Sequence, residues 1–319
     1  MPMITRDIAL VAESLRSGGV AAIPTETVYG LAGNIYDAGA IAAIYRIKQR
    51  PSHNPLIVHL PNLAALDTVA KDIPALALAL AERFWPGPLT LLLPKKDTVP
   101  DQITAGKPTV AVRVPNHPLT LQLLASLPFP LAAPSANPFG SISPTSAAHV
   151  AEYFGDDFAY ILDGGECRKG IESTIIGFNG NQPVLYRWGS LAAEDIEAIT
   201  GPLQHITHNE KAPEAPGMLL RHYAPDTQTI LTSTVAETVA AYADRKIALL
   251  RFREPYRHSS VIYQEQLAPD GDLNTAAAAL YAAMHRMDKA GADIIIAERM
   301  PDHGLGMAIN DRLERATHA

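Results

Sequence analysis

The chain has 319 residues, 26 Lys and Arg against 33 Asp and Glu, a formal net charge of -7 and 47% apolar residues. That composition supports a packed core and excludes a disordered chain, which combines low hydrophobicity with high net charge; the length suggests two domains. A lone cysteine, Cys167, excludes a disulfide-stapled scaffold. With no basic leader before an apolar stretch and no apolar run of about 18 residues, the expectation is a soluble, cytoplasmic protein without a membrane span.

In chain order, Ile8, Val11, Ala12 and Leu15 recur at helical spacing, and Gly18-Gly19 supplies a stop. Residues 20–23 read as a strand, 25–30 (TETVYG) as a polar turn, 40–48 as a helix and 56–60 as a strand. An Ala-rich helix over 75–84 is closed by Trp85-Pro86-Gly87-Pro88 and followed by strands at 89–93 and 109–114. A helix near 119–127, an extended 131–133, a helix at 145–154 and extended segments at 160–162, 173–178 and 184–187 follow. Strands and helices mix without strict alternation, which predicts a twisted mixed open sheet. Residues 201–225 carry four prolines and no periodicity and read as a linker. Beyond it, strands at 229–231, 247–250, 260–263 and 294–297 alternate with helices at 235–243, 274–290 and 307–315. This predicts a smaller, parallel, Rossmann-like α/β domain. The expected division is 1–200, a linker or lid at 201–225, and 226–319.

Residues 1–200 carry 14 basic and 18 acidic residues and the remainder 12 and 15. Neither half has the basic excess that phosphate-backbone binding requires, which argues against stable nucleic-acid binding. Arg46, Lys48 and Arg50 nevertheless cluster, with His53 close behind, a pattern suited to a small anion. The chain contains no phosphate-loop, dinucleotide-loop, H-E-x-x-H or C-x-x-C motif.

Lys48 and Arg50 close a helix that Pro51 stops. They either complement the helix dipole in solvent or point into a cleft. In strand 109–114, alternation sets Val110, Val112 and Val114 on one face and Thr109, Ala111 and Arg113 on the other. Buried arginines are paired, so Arg113 faces either a structural carboxylate or an anionic substrate. His59 at its strand end is either structural or a ligand contact. Pro134-Ser135-Ala136-Asn137, with Ser141 and Ser143 after it, and the loops from Asp163 and Gly170 to Thr174 offer hydroxyls and close backbone approach to phosphates; such turns also cap helices.

Together, PTETVYGL (24–31), KQRPSHNPLIVH (48–59), TVAVRVP (109–115), APSAN (133–137), DGGECRKGIESTI (163–175) and LYRWG (185–189) resemble the YrdC family. APGMLLRHYAP (215–225) and GLGMAINDRLERA (304–316) resemble its long two-domain members, the L-threonylcarbamoyladenylate synthases. The resemblance implies a concave, positively charged cavity in which ATP, L-threonine and bicarbonate become threonylcarbamoyl-AMP and pyrophosphate. The product would serve threonylcarbamoyladenosine modification of tRNA by a separate transferase. By motif, Thr27, His59, Arg113, Ala133 and Ser173 would contact threonine. Arg50, Asn54, Thr109, Ser135, Ser143 and Arg187 would contact ATP, with Tyr223 reaching back from the linker beside Arg221 and His222. Lys48, Arg50 and Arg113 would carry the catalytic charge, and Mg²⁺ would arrive on the ATP phosphates. The competing readings are a carbamoyl-adenylating relative and an RNA-binding module. The first would carry zinc-finger and acylphosphatase-like modules absent from this chain, and the acidic balance weighs against the second.

Overall fold

A computed structural model describes residues 1–206, 214–218 and 223–317. The first domain is built on eleven strands: β1 Met3–Thr5, β2 Ala21–Ile23, β3 Gly30–Asn34, β4 Ile57–His59, β5 Leu89–Pro94, β6 Thr109–Arg113, β7 Leu131–Ala132, β8 Tyr160–Leu162, β9 Thr174–Asn179, β10 Gln182–Arg187 and β11 Gln204–His205. They form one mixed sheet in the order β1-β8-β2-β3-β7-β4-β6-β5-β9-β10-β11. Its centre alternates parallel and antiparallel pairs: β4 runs parallel to β6, β6 antiparallel to β5, β5 parallel to β9, and β9 antiparallel to β10.

The period-two alternation of these short strands decides the two faces of the sheet. Val58, Leu91, Leu93, Val110, Val112, Ile176 and Leu185 enter the main core under the helices Ala38–Lys48 and Ala75–Phe84. The intervening residues Ile57, Leu92, Ala111, Ile175, Val184 and Tyr186 form the opposite face, where they pack against Ala215 and Met218 of the interdomain segment. The segment between the domains thus roofs the second face. This face, where alternation also sends His59 and Arg113, is where the cavity forms.

The second domain has four parallel strands, β12 Thr229–Thr232, β13 Ile247–Arg251, β14 Val261–Gln266 and β15 Ile294–Glu298, in the order β12-β15-β13-β14. Its helix Leu273–Asp288 is capped by the Asp272 carboxylate, which accepts from the Asn274 and Thr275 amides. That helix and Leu305–Ala316 bury one apolar cluster that takes in Val28, Ile142 and Ile171 of the first domain as well as Tyr223. The two domains therefore share a core.

The predicted architecture is present: a large mixed sheet followed by a smaller parallel one. Six elements were not predicted from sequence: the strands β1, β3 and β11, the 3-10 helix Leu63–Thr68 and the helices Asp101–Thr104 and Ala193–Thr200. β11 lies inside the stretch read as linker and pairs in parallel with β10, Val184 opposite Gln204. No helix separates β13 from β14, so the alternation of the second domain is broken there.

Candidate active site

The helix Ala38–Lys48 begins at the Asp37 cap and ends on Gln49, which adopts φ 52 in the left-handed region. The Gln49 amide donates to the Arg46 carbonyl and the Arg50 amide to the Tyr45 carbonyl, a Schellman closure that reverses the chain. Arg50 is thereby folded back and held: Nε donates to the Asn54 carbonyl (3.1 Å), and Nη2 to Asn54 Oδ1 (2.6 Å) and the Pro55 carbonyl (2.8 Å). Burial lowers its pKa to about 10, so it stays charged at neutral pH. Lys48 points elsewhere. Its Nζ donates to the carbonyls of Ser135 and Asn137, and burial, reinforced by Arg50, holds its pKa well below the ordinary lysine value. Lys48 is the peg beneath the Pro134–Asn137 turn.

Parallel register sets His59 beside Arg113. Arg113 donates from Nε to the Gly87 carbonyl (3.2 Å) and from Nη1 to Thr27 Oγ1 (3.0 Å), and its Nη2 lies 2.7 Å from Glu26 Oε1. Both readings of Arg113 therefore hold: it has a structural carboxylate and it lines the cavity. The contact with Glu26 is an ion pair by distance but lacks hydrogen-bond geometry; Nη2 and Oε1 have no hydrogen-bond partner among the described residues. Arg113 thus meets the cavity as one half of a buried ion pair. His59 Nδ1 lies 3.2 Å from the Ile57 carbonyl, which requires Nδ1 to donate and leaves Nε2 as an acceptor. Burial, then the neighbouring Arg113, lowers its pKa to about 3, so the ring is neutral.

On the other side, Arg187 at the end of β10 donates from Nε to the Ser173 carbonyl (3.0 Å), from Nη2 to Ser173 Oγ (2.9 Å) and from Nη1 to the Pro216 carbonyl (3.3 Å). Ser173 Oγ also shares a hydrogen bond with Thr90 Oγ1 at 2.7 Å. Pro216, Gly217 and Tyr223 close the roof. Tyr223 sits at φ 63, a region non-glycine residues avoid and that recurs at functional sites.

The structure brings together nine of the predicted residues: Thr27, Arg50, His59, Arg113, Ala133, Ser135, Ser173, Arg187 and Tyr223 all line one cavity. Four do not line it. Lys48 supports the Ser135 turn, and Asn54, fully buried, orients Arg50. Thr109 stands at the start of β6, on the cavity face but beyond the lining residues. Ser143 donates its hydroxyl to Glu172 Oε1 at 2.6 Å. Arg221 and His222 lie outside the described residues.

Sequence reasoning missed Glu26, Thr90 and Glu172. Glu172 was legible as a carboxylate inside the GIEST loop, and it is the acidic residue among the lining. Burial alone would raise its carboxyl pKa; Arg312, Arg187 and the Ser143 hydroxyl outweigh that and hold it below the ordinary range. Among the described residues, no set of three His, Cys, Asp or Glu side chains is placed to hold a metal ion, and no helix is long and apolar enough to cross a membrane.

Three buried arginines, hydroxyls and a neutral imidazole around one sheet-face cavity define an enzyme site for anionic substrates, built for positioning and charge stabilisation. Residues 13–189 match the family described as Telomere recombination, and residues 191–318 match the family described as Threonylcarbamoyl-AMP synthase, C-terminal domain. A threonylcarbamoyl-AMP synthase of Pyrococcus abyssi is 43% identical over 97% of this chain and 94% of its own length. One from Bacillus subtilis is 40% identical over 97% and 92%. The crystal structure of P. abyssi Sua5 complexed with L-threonine superposes with a TM-score of 0.93 at 38% identity, covering 100% of this chain and 98% of that one. The chain belongs to the threonylcarbamoyl-AMP synthase family.

Proposed function

We propose that this chain synthesises L-threonylcarbamoyl-AMP from L-threonine, bicarbonate and ATP, releasing pyrophosphate, as a nucleotidyltransferase in tRNA threonylcarbamoyladenosine formation. The observation that carries the reading is the convergence of Arg50, Arg113 and Arg187 on one cavity that the hydroxyl side chains of Thr27, Ser135 and Ser173 also line. Such a site binds anions and aligns them without a protein nucleophile.

The threonine amine attacks the bicarbonate carbon, water leaves, and a carbamate forms. A carbamate oxygen then attacks the α-phosphorus of ATP, and pyrophosphate departs. On this reading Arg113, which lines the cavity, takes the threonine carboxylate, because its planar fork matches a carboxylate. Thr27, Ala133 and Ser173 shape that end, and His59 Nε2 accepts from threonine. Arg50, Ser135, Arg187 and Tyr223 serve the nucleotide. The lining carboxylate, Glu172, is already engaged by Ser143, Tyr281 and Arg312. These residues therefore offer no carboxylate to a resident cation, and magnesium enters as part of the MgATP substrate, on phosphate oxygens. The labile adenylate passes to a separate tRNA-modifying transferase.

Pyrophosphate release from ATP tests the reading. Release should depend on both L-threonine and bicarbonate. Release at the same rate without threonine would overturn it.

A further inference from the structure

The second domain reaches the cavity wall through Arg312 and Tyr281. Arg312, on the helix Leu305–Ala316, is 0% exposed. Its Nε donates to Glu172 Oε2 at 2.9 Å, where the Tyr281 hydroxyl also donates at 2.9 Å. Its Nη2 donates to the Trp188 carbonyl at 2.7 Å, next to Arg187. Its guanidinium lies 4.8 Å from the centre of the Tyr223 ring, which in turn stacks on Tyr281 at 5.7 Å. Neither Arg312 nor Tyr281 lines the cavity, yet between them they grip Glu172 and Tyr223, which do, and the strand end that carries Arg187.

We propose that Arg312 is a positioning residue for ATP: from behind the cavity wall it neutralises Glu172 and seats the Tyr223 ring, so that a polyphosphate can approach a wall containing a carboxylate. This inference rests on the ATP reading above. An ionised carboxylate at the edge of a low-dielectric site repels phosphate strongly unless a cation offsets it. The surrounding charges support a dedicated pair. Glu172 faces Arg312 from the second domain and Arg187 within its own. Arg312 in turn contacts Asp311, which also pairs with Arg315. Arg113 is already matched by Glu26. With Glu172 offset by Arg312, Arg50 and Arg187 are left as the net positive field of the cavity. The second domain is thus part of the binding apparatus through a contact spanning 140 residues of sequence.

The test is a double-mutant cycle on the full-length protein, reading KM for ATP, KM for threonine and kcat from pyrophosphate release, with melting temperature as a folding control. Arg312→Gln should raise KM for ATP by about tenfold or more, since it leaves a buried charge unpaired, and move KM for threonine far less. Adding Glu172→Gln should bring KM for ATP back to within about threefold of the Glu172→Gln single variant, because the repulsive charge is gone. Tyr281→Phe, which keeps the ring and removes one donor to the same oxygen, should shift KM for ATP the same way by about threefold and be relieved by the same second substitution; it also serves if Arg312→Gln does not fold. An unchanged KM for ATP in both variants, or a double variant as impaired as Arg312→Gln alone, overturns the inference. Wild-type turnover that ignores threonine would instead overturn the functional reading.

Discussion

Arg113 and Lys48 are both buried cations, and the structure gives them different work. Arg113 lines the cavity as the partner of Glu26, whereas the Lys48 ammonium is engaged by the Ser135 and Asn137 carbonyls away from it. Arg113→Ala should lose threonine-dependent turnover by about 30- to 5,000-fold, the range for truncating a buried charge partner of a bound carboxylate, roughly 2–5 kcal/mol. Arg113→Lys should not restore it, since an ammonium cannot replace the planar fork. Calorimetry of threonine binding checks both; near-normal affinity in Arg113→Ala would remove the assignment. Lys48→Met should behave differently. It strips two buried carbonyls of their donor, so the melting temperature should fall by an amount equivalent to roughly 1–3 kcal/mol, with KM for ATP rising as the Ser135 turn relaxes. Weakened ATP binding at an unchanged melting temperature would mean that Lys48 meets phosphate directly.

At the scale of elements, two glycines hold loops against what they touch. Gly170, at φ 71, packs its loop onto the helix Leu273–Asp288 so closely that a Cβ would stand 2.4 Å from the Ala278 carbonyl oxygen. Backbone cannot yield there, so Gly170→Ala should part the loop from the helix and lower stability by about 1–3 kcal/mol. Faster protease cleavage of the native protein is the measurement. Gly217, at φ 89 in the roof, leaves room for Arg187, whose Cδ would be 2.8 Å from an added Cβ. Gly217→Val should displace Arg187 and raise KM for ATP more than KM for threonine, which steady-state kinetics would show. β3 escaped detection for a related reason. Its sequence GLAGN has no apolar alternation, because a Cβ added at Gly33 would stand 3.1 Å from Ile44 and 3.3 Å from Ala40 of the covering helix. A strand that must be thin to fit a helix does not look like a strand.

For the whole molecule, the prediction is that acid weakens the docking of the two domains. His285 of the second domain stacks on His149 of the first at 4.0 Å, and its Nε2 lies 3.3 Å from the Ser143 carbonyl, to which it donates. Glu152, Lys289 and Tyr153 complete its surroundings, with Glu152 and Lys289 themselves paired across the boundary at 2.6 Å. Burial, then His149, lowers the His285 pKa to about 4, and burial lowers that of His149 as well. The unfolded histidine titrates near 6.5, so the unfolded state takes up the proton first as pH falls. Stability is therefore full above about 6.5 and is lost between about 6.5 and 4. Melting temperature should drop across that window, and His285→Asn should flatten the drop. An equally steep profile in the variant would assign the loss to other groups, such as His59.

The sequence by itself determined the two-sheet architecture, the face of β6 that carries Arg113, and nine of the residues that meet in the cavity. Those features rest on local rules, strand alternation and helix termination, and on motifs long enough to be recognised. Only the tertiary structure decided that Lys48 turns away from the cavity, that Glu26 already answers Arg113, and that the second domain closes on Glu172. Ser143, His285, Glu172 and Arg312 meet across separations of 29 to 142 residues, and their chain neighbours give no sign of it. A buried charge takes its partner from whatever the fold brings beside it, and that choice is made in space, by the cost of leaving the charge unpaired.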